Sequence, residues 1–179
     1  MKRHVFLLFP LCLLGNIAIA QSSWSVYRTN YGIPEITPTI SIEKNSQWGH
    51  NIYKHTSGIR NITPYKTTRP NVFGGQDIFN TSSYGIPEIT PSRTTRPNVY
   101  NGIDVYNTRY GLPEITPAKT VRSNHFGGYD IYNMRNGLPE ITPSKTIRPN
   151  STGGYNIFNT RNGLPELSPS GVIKPNWQW

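Results

Sequence analysis

A unit of about 26 residues, repeated along most of the chain, constrains the fold more than any other feature. Six copies end on Asn45, Asn71, Asn98, Asn124, Asn150 and Asn176, at spacings of 26, 27, 26, 26 and 26 residues. A fixed period in this range marks a repeat architecture, in which each copy buries its apolar surface against its neighbours. The units run 22–45, 46–71, 72–98, 99–124, 125–150 and 151–176, followed by Trp177-Gln178-Trp179. Residues 21–179 therefore read as a single repeat domain.

Unit 125–150 shows the pattern: an extended segment from Gly128 to Arg135, a turn at Asn136-Gly137, and a second extended segment to Asn150. The first segment carries an apolar pair in every copy: Val26/Tyr27, Ile52/Tyr53, Ile78/Phe79, Val105/Tyr106, Ile131/Tyr132 and Ile157/Phe158. β-branched and aromatic residues suit a strand, and adjacent positions point to opposite faces. Either the strand is covered on both sides, or one face packs and an aromatic face is offered to a ligand.

The turn glycines are at 32, 58, 85, 111, 137 and 163, preceded by Tyr three times, Asn twice and Ser once. A type I′ turn needs positive φ at both central residues, which a bulky side chain resists. A type II turn, or a type I turn with a glycine bulge, fits all six copies. The one inserted residue falls here, in Thr81-Ser82-Ser83-Tyr84. The second segment is broken by prolines such as Pro139, Pro143 and Pro149. It predicts an edge-like or polyproline course anchored by Ile141 and Ile147, because proline cannot donate to a ladder. The prolines, and the lack of any apolar pattern at helical spacing, leave no room for helix.

The expected fold is all-β, a set of six tandem β-hairpin repeats. An open stack is favoured over a closed six-unit ring, because units 1 and 2 depart most from the pattern, as capping repeats do. Ile40-Ser41-Ile42-Glu43-Lys44 replaces the usual Lys-Thr-Ile-Arg, and Gly58-Ile59-Arg60-Asn61 lacks the Pro and the Glu. Trp48, Trp177 and Trp179 would cover exposed ends; Trp177 and Trp179 could instead line a ligand pocket. Apolar residues are few per unit, so the alternative is a chain largely disordered until bound.

Residues 1–20 fit a secretory signal peptide: basic Lys2-Arg3, an apolar run from Val5 to Leu14, and Ala18-Ile19-Ala20 before Gln21. The run is too short to span a bilayer. Its style is bacterial, which places the mature chain in the periplasm, outside the cell or on its surface. The only cysteine, Cys12, leaves with it, so the mature chain holds no disulfide and no cysteine-based metal site or nucleophile. Without Lys2 and Arg3 the mature chain keeps 16 basic against 9 acidic residues, a net charge of +7 that favours anionic partners.

Chemistry is sparse. A glutamate recurs at 35, 88, 114, 140 and 166, with Asn61 in the remaining slot, and a basic residue stands eight positions after that slot in units 2 to 6, at Arg69, Arg96, Arg122, Arg148 and Lys174. Repetition of one carboxylate suggests a scaffold ladder of Glu–Arg pairs, since an active site needs one asymmetric constellation. Asp77, Asp104 and Asp130 supply too few oxygens for calcium, and His50, His55 and His125 lack ligand spacing. No nucleophile elbow or phosphate loop is present, so the chain is expected to have neither enzymatic activity nor a cofactor. The leading expectation is multivalent recognition of an anionic polymer or glycan at the cell surface, with weak sites adding through effective concentration. The candidate array is Tyr27, Tyr53, Phe79, Tyr106, Tyr132 and Phe158 together with Arg69, Arg96, Arg122, Arg148 and Lys174. The alternatives are a self-assembling matrix protein pairing strand edges, and a flexible partner that folds on binding another protein.

Overall fold

A computed structural model describes residues 23–176; the expected signal segment, Cys12, Trp177 and Trp179 lie outside the described residues. All regular structure among the described residues is β-strand, in antiparallel hairpins. Of 17 strands, five are two-residue pieces, and the other twelve are two per unit. In unit 125–150 these two are Tyr129–Arg135 and Lys145–Pro149.

Each of the twelve pairs with the strand before it and the strand after it. The first, Ser23–Asn30, also pairs with the last, Gly171–Pro175, through five positions from Trp24↔Pro175 to Arg28↔Gly171. The expected open stack is therefore corrected to a closed twelve-strand barrel. The cause is register. Ile131 lies opposite Lys145, and Lys145 opposite Asn159, two residues beyond Ile157, the counterpart of Ile131. A shift of two residues per unit gives a shear of about twelve over six units, and equal shear and strand number means a tilt of about 36°.

The units that departed from the pattern are joints in this ring. Glu43 of unit 1 stands where other units have Arg or Lys, and Arg60 of unit 2 stands where they have Pro. Arg60 Nη1 reaches both carboxylate oxygens of Glu43 at 3.0 Å, so the two departures are one compensated exchange. Trp24 and Ile40, also out of pattern, are buried in the core.

Strand alternation puts the Ile or Val of each pair inside. At mid-barrel, facing pairs such as Val121↔Ile131, Ile147↔Ile157 and Val26↔Ile173 form a buried ring, completed by Thr68 and Thr95. The middle is a packed core, and the outward positions are Asp, Thr, Arg and Tyr, the reverse of a lipid-facing barrel wall. Among the described residues no helix is long and apolar enough to cross a membrane.

The two ends are built differently. At one end a tight turn joins consecutive units, and the unit-ending asparagine organises it. Asn98 Oδ1 accepts from the amides of Tyr100 and Gly102, while Nδ2 donates to Asp104, to Thr120 and to the carbonyl of Val121. One side chain thus ties three strands of two units. Gly102 belongs to the same clasp: a Cβ there would lie 2.0 Å from the Val121 oxygen.

At the other end each first strand runs on into a short ribbon with a two-residue turn. Tyr31, Ser57, Tyr110, Asn136 and Asn162 have φ between 49 and 52°, and each is followed by a glycine at positive φ. These are type I′ turns, a correction to the expected type II or bulged form. The ribbon's right-handed twist requires that turn and outweighs about 1–2 kcal/mol for a non-glycine residue in the left-handed region. Unit 3 is the exception. Its inserted residue lengthens the loop, the Gly85 amide bonds to the Ser82 oxygen, and Gly85 takes positive φ while Tyr84 does not.

The proline-bearing loops that follow interlock around the ring. The turn glycine of each unit lies against the preceding unit's Thr, as Gly137 on Thr116, and Gly32 lies on Ser168 across the closure. Ile147 is an anchor as expected, but Ile141 is not: it stands 99 % exposed on this loop. The loop turns at Thr142-Pro143 before the barrel strand begins, so an apolar residue in sequence phase with the core falls outside it.

Candidate functional site

The outward face near the tight turns carries a repeated cation–aromatic arrangement. Arg122 lies opposite Asp130, and Thr120 opposite Tyr132, so Arg122 and Tyr132 are diagonal neighbours on one face. The Arg122 guanidinium carbon sits 5.1 Å from the Tyr132 ring centre and 4.1 Å from that of Tyr100, in the adjoining turn. Arg96 lies between Phe73 at 4.0 Å and Tyr106 at 4.9 Å, and Arg148 between Phe126 at 4.1 Å and Phe158 at 5.6 Å. Arg69 meets Phe79 at 4.9 Å. Lys174 of the last unit meets Tyr27 of the first, also at 4.9 Å, so the belt crosses the closure.

The structure thus brings together the sequence-predicted aromatic and basic residues, with one exception. Tyr53 is covered by Arg60 at 4.3 Å, because unit 1 offers Glu43 in place of a strand arginine. The aromatic face is the outer one, and it is already stacked with cations of the same chain.

The donors of these arginines are the informative part. The Nε atoms of Arg69, Arg96, Arg122 and Arg148 are buried without a hydrogen-bond partner, although each side chain is partly exposed. An orphaned donor costs about 1–3 kcal/mol, against up to about 2 kcal/mol from a desolvated cation–π contact. Four copies of this arrangement hold flat, always-charged guanidinium groups whose remaining edge faces solvent, the geometry that binds carboxylate, sulfate or phosphate. Neighbouring copies stand two strands apart, about 10 Å at the usual strand spacing.

The recurring glutamates do not pair with these arginines. Glu140 accepts from Asn133 Nδ2 at 3.2 Å, and Asn133 Oδ1 accepts from Lys119 Nζ at 2.9 Å. Lys145, Asn159 and Glu166 repeat this relay, as do Lys66, Asn80 and Glu88. The lysines are interior residues that the sequence reading passed over. Lys145 is two positions before Ile147, on the same strand face, and that spacing was the available signal. Burial, with the charges of Arg93 and Lys145 nearby, lowers Lys119 to about 8. Burial likewise lowers Lys66 and Lys145, and pushes the Tyr65 hydroxyl up to about 12.

His50 also belongs inside, where burial and Lys44 lower its pKa. Among the described residues, no group of three or more His, Cys, Asp or Glu side chains is placed to hold a metal ion. Comparison with protein-family models, curated proteins and solved structures found no match to this chain.

Proposed function

We propose that this is an exported, non-enzymatic binding protein whose outer belt engages an anionic polymer, charged glycans included, at the cell surface or in the periplasm. The observation that carries the proposal is the cation–aromatic site with its solvent-facing guanidinium edge, repeated at a constant interval along the outer wall of a closed barrel. A single site is weak. Several in a row on one polymer add through effective concentration, and the net charge of the mature chain draws the ligand in. Self-assembly through strand edges is the weaker alternative, because closure pairs the edge that an open sheet would expose.

The test uses heparin, alginate and single-stranded DNA as polymer probes, with binding measured across a salt series. Partial-length chains cannot serve, because fewer than six units do not close. Arg96→Gln, Arg122→Gln and Arg148→Gln are instead introduced singly and together. Each is expected to weaken binding severalfold, and the triple variant to lose most of the salt dependence. If the parent binds none of the probes, or the triple variant binds as the parent does, the proposal is wrong.

A further inference from the structure

The loop end displays apolar side chains that serve no packing purpose. Ile36, Ile62, Ile89, Ile115, Ile141 and Leu167 occupy one repeat position, and all six are at least 94 % exposed. A second aliphatic residue, at the position of Leu138, recurs in all six units and is also exposed in each. The copies have diverged freely nearby: Met134 corresponds to Thr29 and Thr160, and Arg135 to Asn30 and Thr56. Internal drift alone would not have kept an aliphatic residue where it touches almost nothing and water surrounds it. An exposed apolar set on this scale marks a protein or membrane contact.

We propose that this crown seats the barrel, loop end down, on an anionic lipid bilayer. Three observations select lipid over a protein partner. The six outermost side chains stand on separate loops, each nearly fully solvated. A fluid headgroup layer closes around isolated tips of this kind. Tyr31, Tyr84 and Tyr110 stand fully open on the adjoining turns, and tyrosine beside aliphatic residues is the composition of a bilayer interface. Arg109, Arg135 and Arg161 are exposed just before the turns of units 4, 5 and 6; Arg135 lies opposite Leu138, two ladder positions nearer the turn than Glu140, so an anionic leaflet meets these cations before the glutamates. The interlocked Gly–Thr contacts hold the loops as one ring, so little order must be gained on docking.

The experiment is flotation of the full-length chain with vesicles of phosphatidylcholine, alone or mixed with phosphatidylglycerol. Variants carry the same N-terminal segment as the parent, so any difference reports the crown. The parent should float with the mixed vesicles and much less with the neutral ones. Replacing the six outermost aliphatics by Ser should weaken binding at least tenfold, with the circular dichroism spectrum and melt unchanged. Arg109→Gln/Arg135→Gln/Arg161→Gln should weaken it severalfold and flatten its salt dependence. Arg96→Gln/Arg122→Gln/Arg148→Gln, on the outer belt, should leave vesicle binding intact, which separates this inference from the polymer reading. A parent that stays unbound, or a six-Ser variant that floats equally well, overturns the proposal. So does a dimer in sedimentation that the six-Ser change dissolves without any vesicle binding, since the crown would then cover a second copy.

Discussion

The two ends of the barrel are made from the same six copies, yet they obey opposite rules. At the tight-turn end the polar groups of the turn itself are spoken for: one asparagine saturates a turn and stitches three strands, and a glycine has no space for a methyl group. At the loop end, backbone bonds and proline hold the chain while its largest apolar side chains stand in water. The first end repeats because the fold demands it. Folding does not account for the second, and so a contact surface is inferred there.

The sharpest way to break this contrast is one substitution made at both ends. Gly128→Ala would put a Cβ 2.0 Å from the Ile147 oxygen, a backbone clash expected to cost about 3 kcal/mol or more. At roughly 2–4 °C per kcal/mol for a chain of this size, the melting temperature should fall by about 10 °C. Gly137→Ala meets only Thr116 at 3.3 Å, so the strain of positive φ, about 1–2 kcal/mol, should dominate. Equal losses in thermal melts would erase the distinction between the ends.

A smaller effect lies in pH. Lys119 binds its proton less tightly folded than unfolded, so stability should rise as pH goes from about 8 toward 10.5, where the unfolded chain still holds the proton. Tyr65 acts in the opposite sense between about 10 and about 12, where the folded chain keeps a proton the unfolded one has released. Urea midpoints should therefore pass through a maximum near pH 10. Lys119→Met should shrink the rise to the part that Lys66 and Lys145 supply, while leaving the fall. A flat profile in the parent would deny the lysine its interior position.

The smallest change should come from Ile141→Ser, within about 0.5 kcal/mol despite the loss of a large apolar side chain. A loss like that of a core isoleucine, about 2 kcal/mol or more, would show the crown to be packing after all.

Much of the barrel was legible in the chain. The period gave the units, and the Ile–Tyr pairs gave the inward and outward faces, because alternation along a strand is local. Closure was not, since it depends on a two-residue shift at each unit that no single unit expresses. The same limit hid the link between Glu43 and Arg60, each of which looked like an isolated departure. The turns were misjudged for a different reason: the preference of Tyr31 and Tyr110 against positive φ is real, but the twist of the ribbon outweighs it. Ile141 misled because apolar periodicity reports phase along the chain, whereas exposure depends on where a loop leaves the wall. At the belt, the sequence supplied the residues but not the sandwich, whose second ring comes from the neighbouring turn.

Closure has a genetic consequence. An open solenoid can gain or lose a copy by unequal recombination and stay folded, because each unit needs only its neighbours. Here the Asn176 amide meets the Ser23 carbonyl at 3.1 Å, and the last strand is the first strand's neighbour. A seventh copy would change strand number, shear and interior width together, around a core already filled by six. Copy number is therefore frozen, and such a barrel can diverge within its units but not by adding to them.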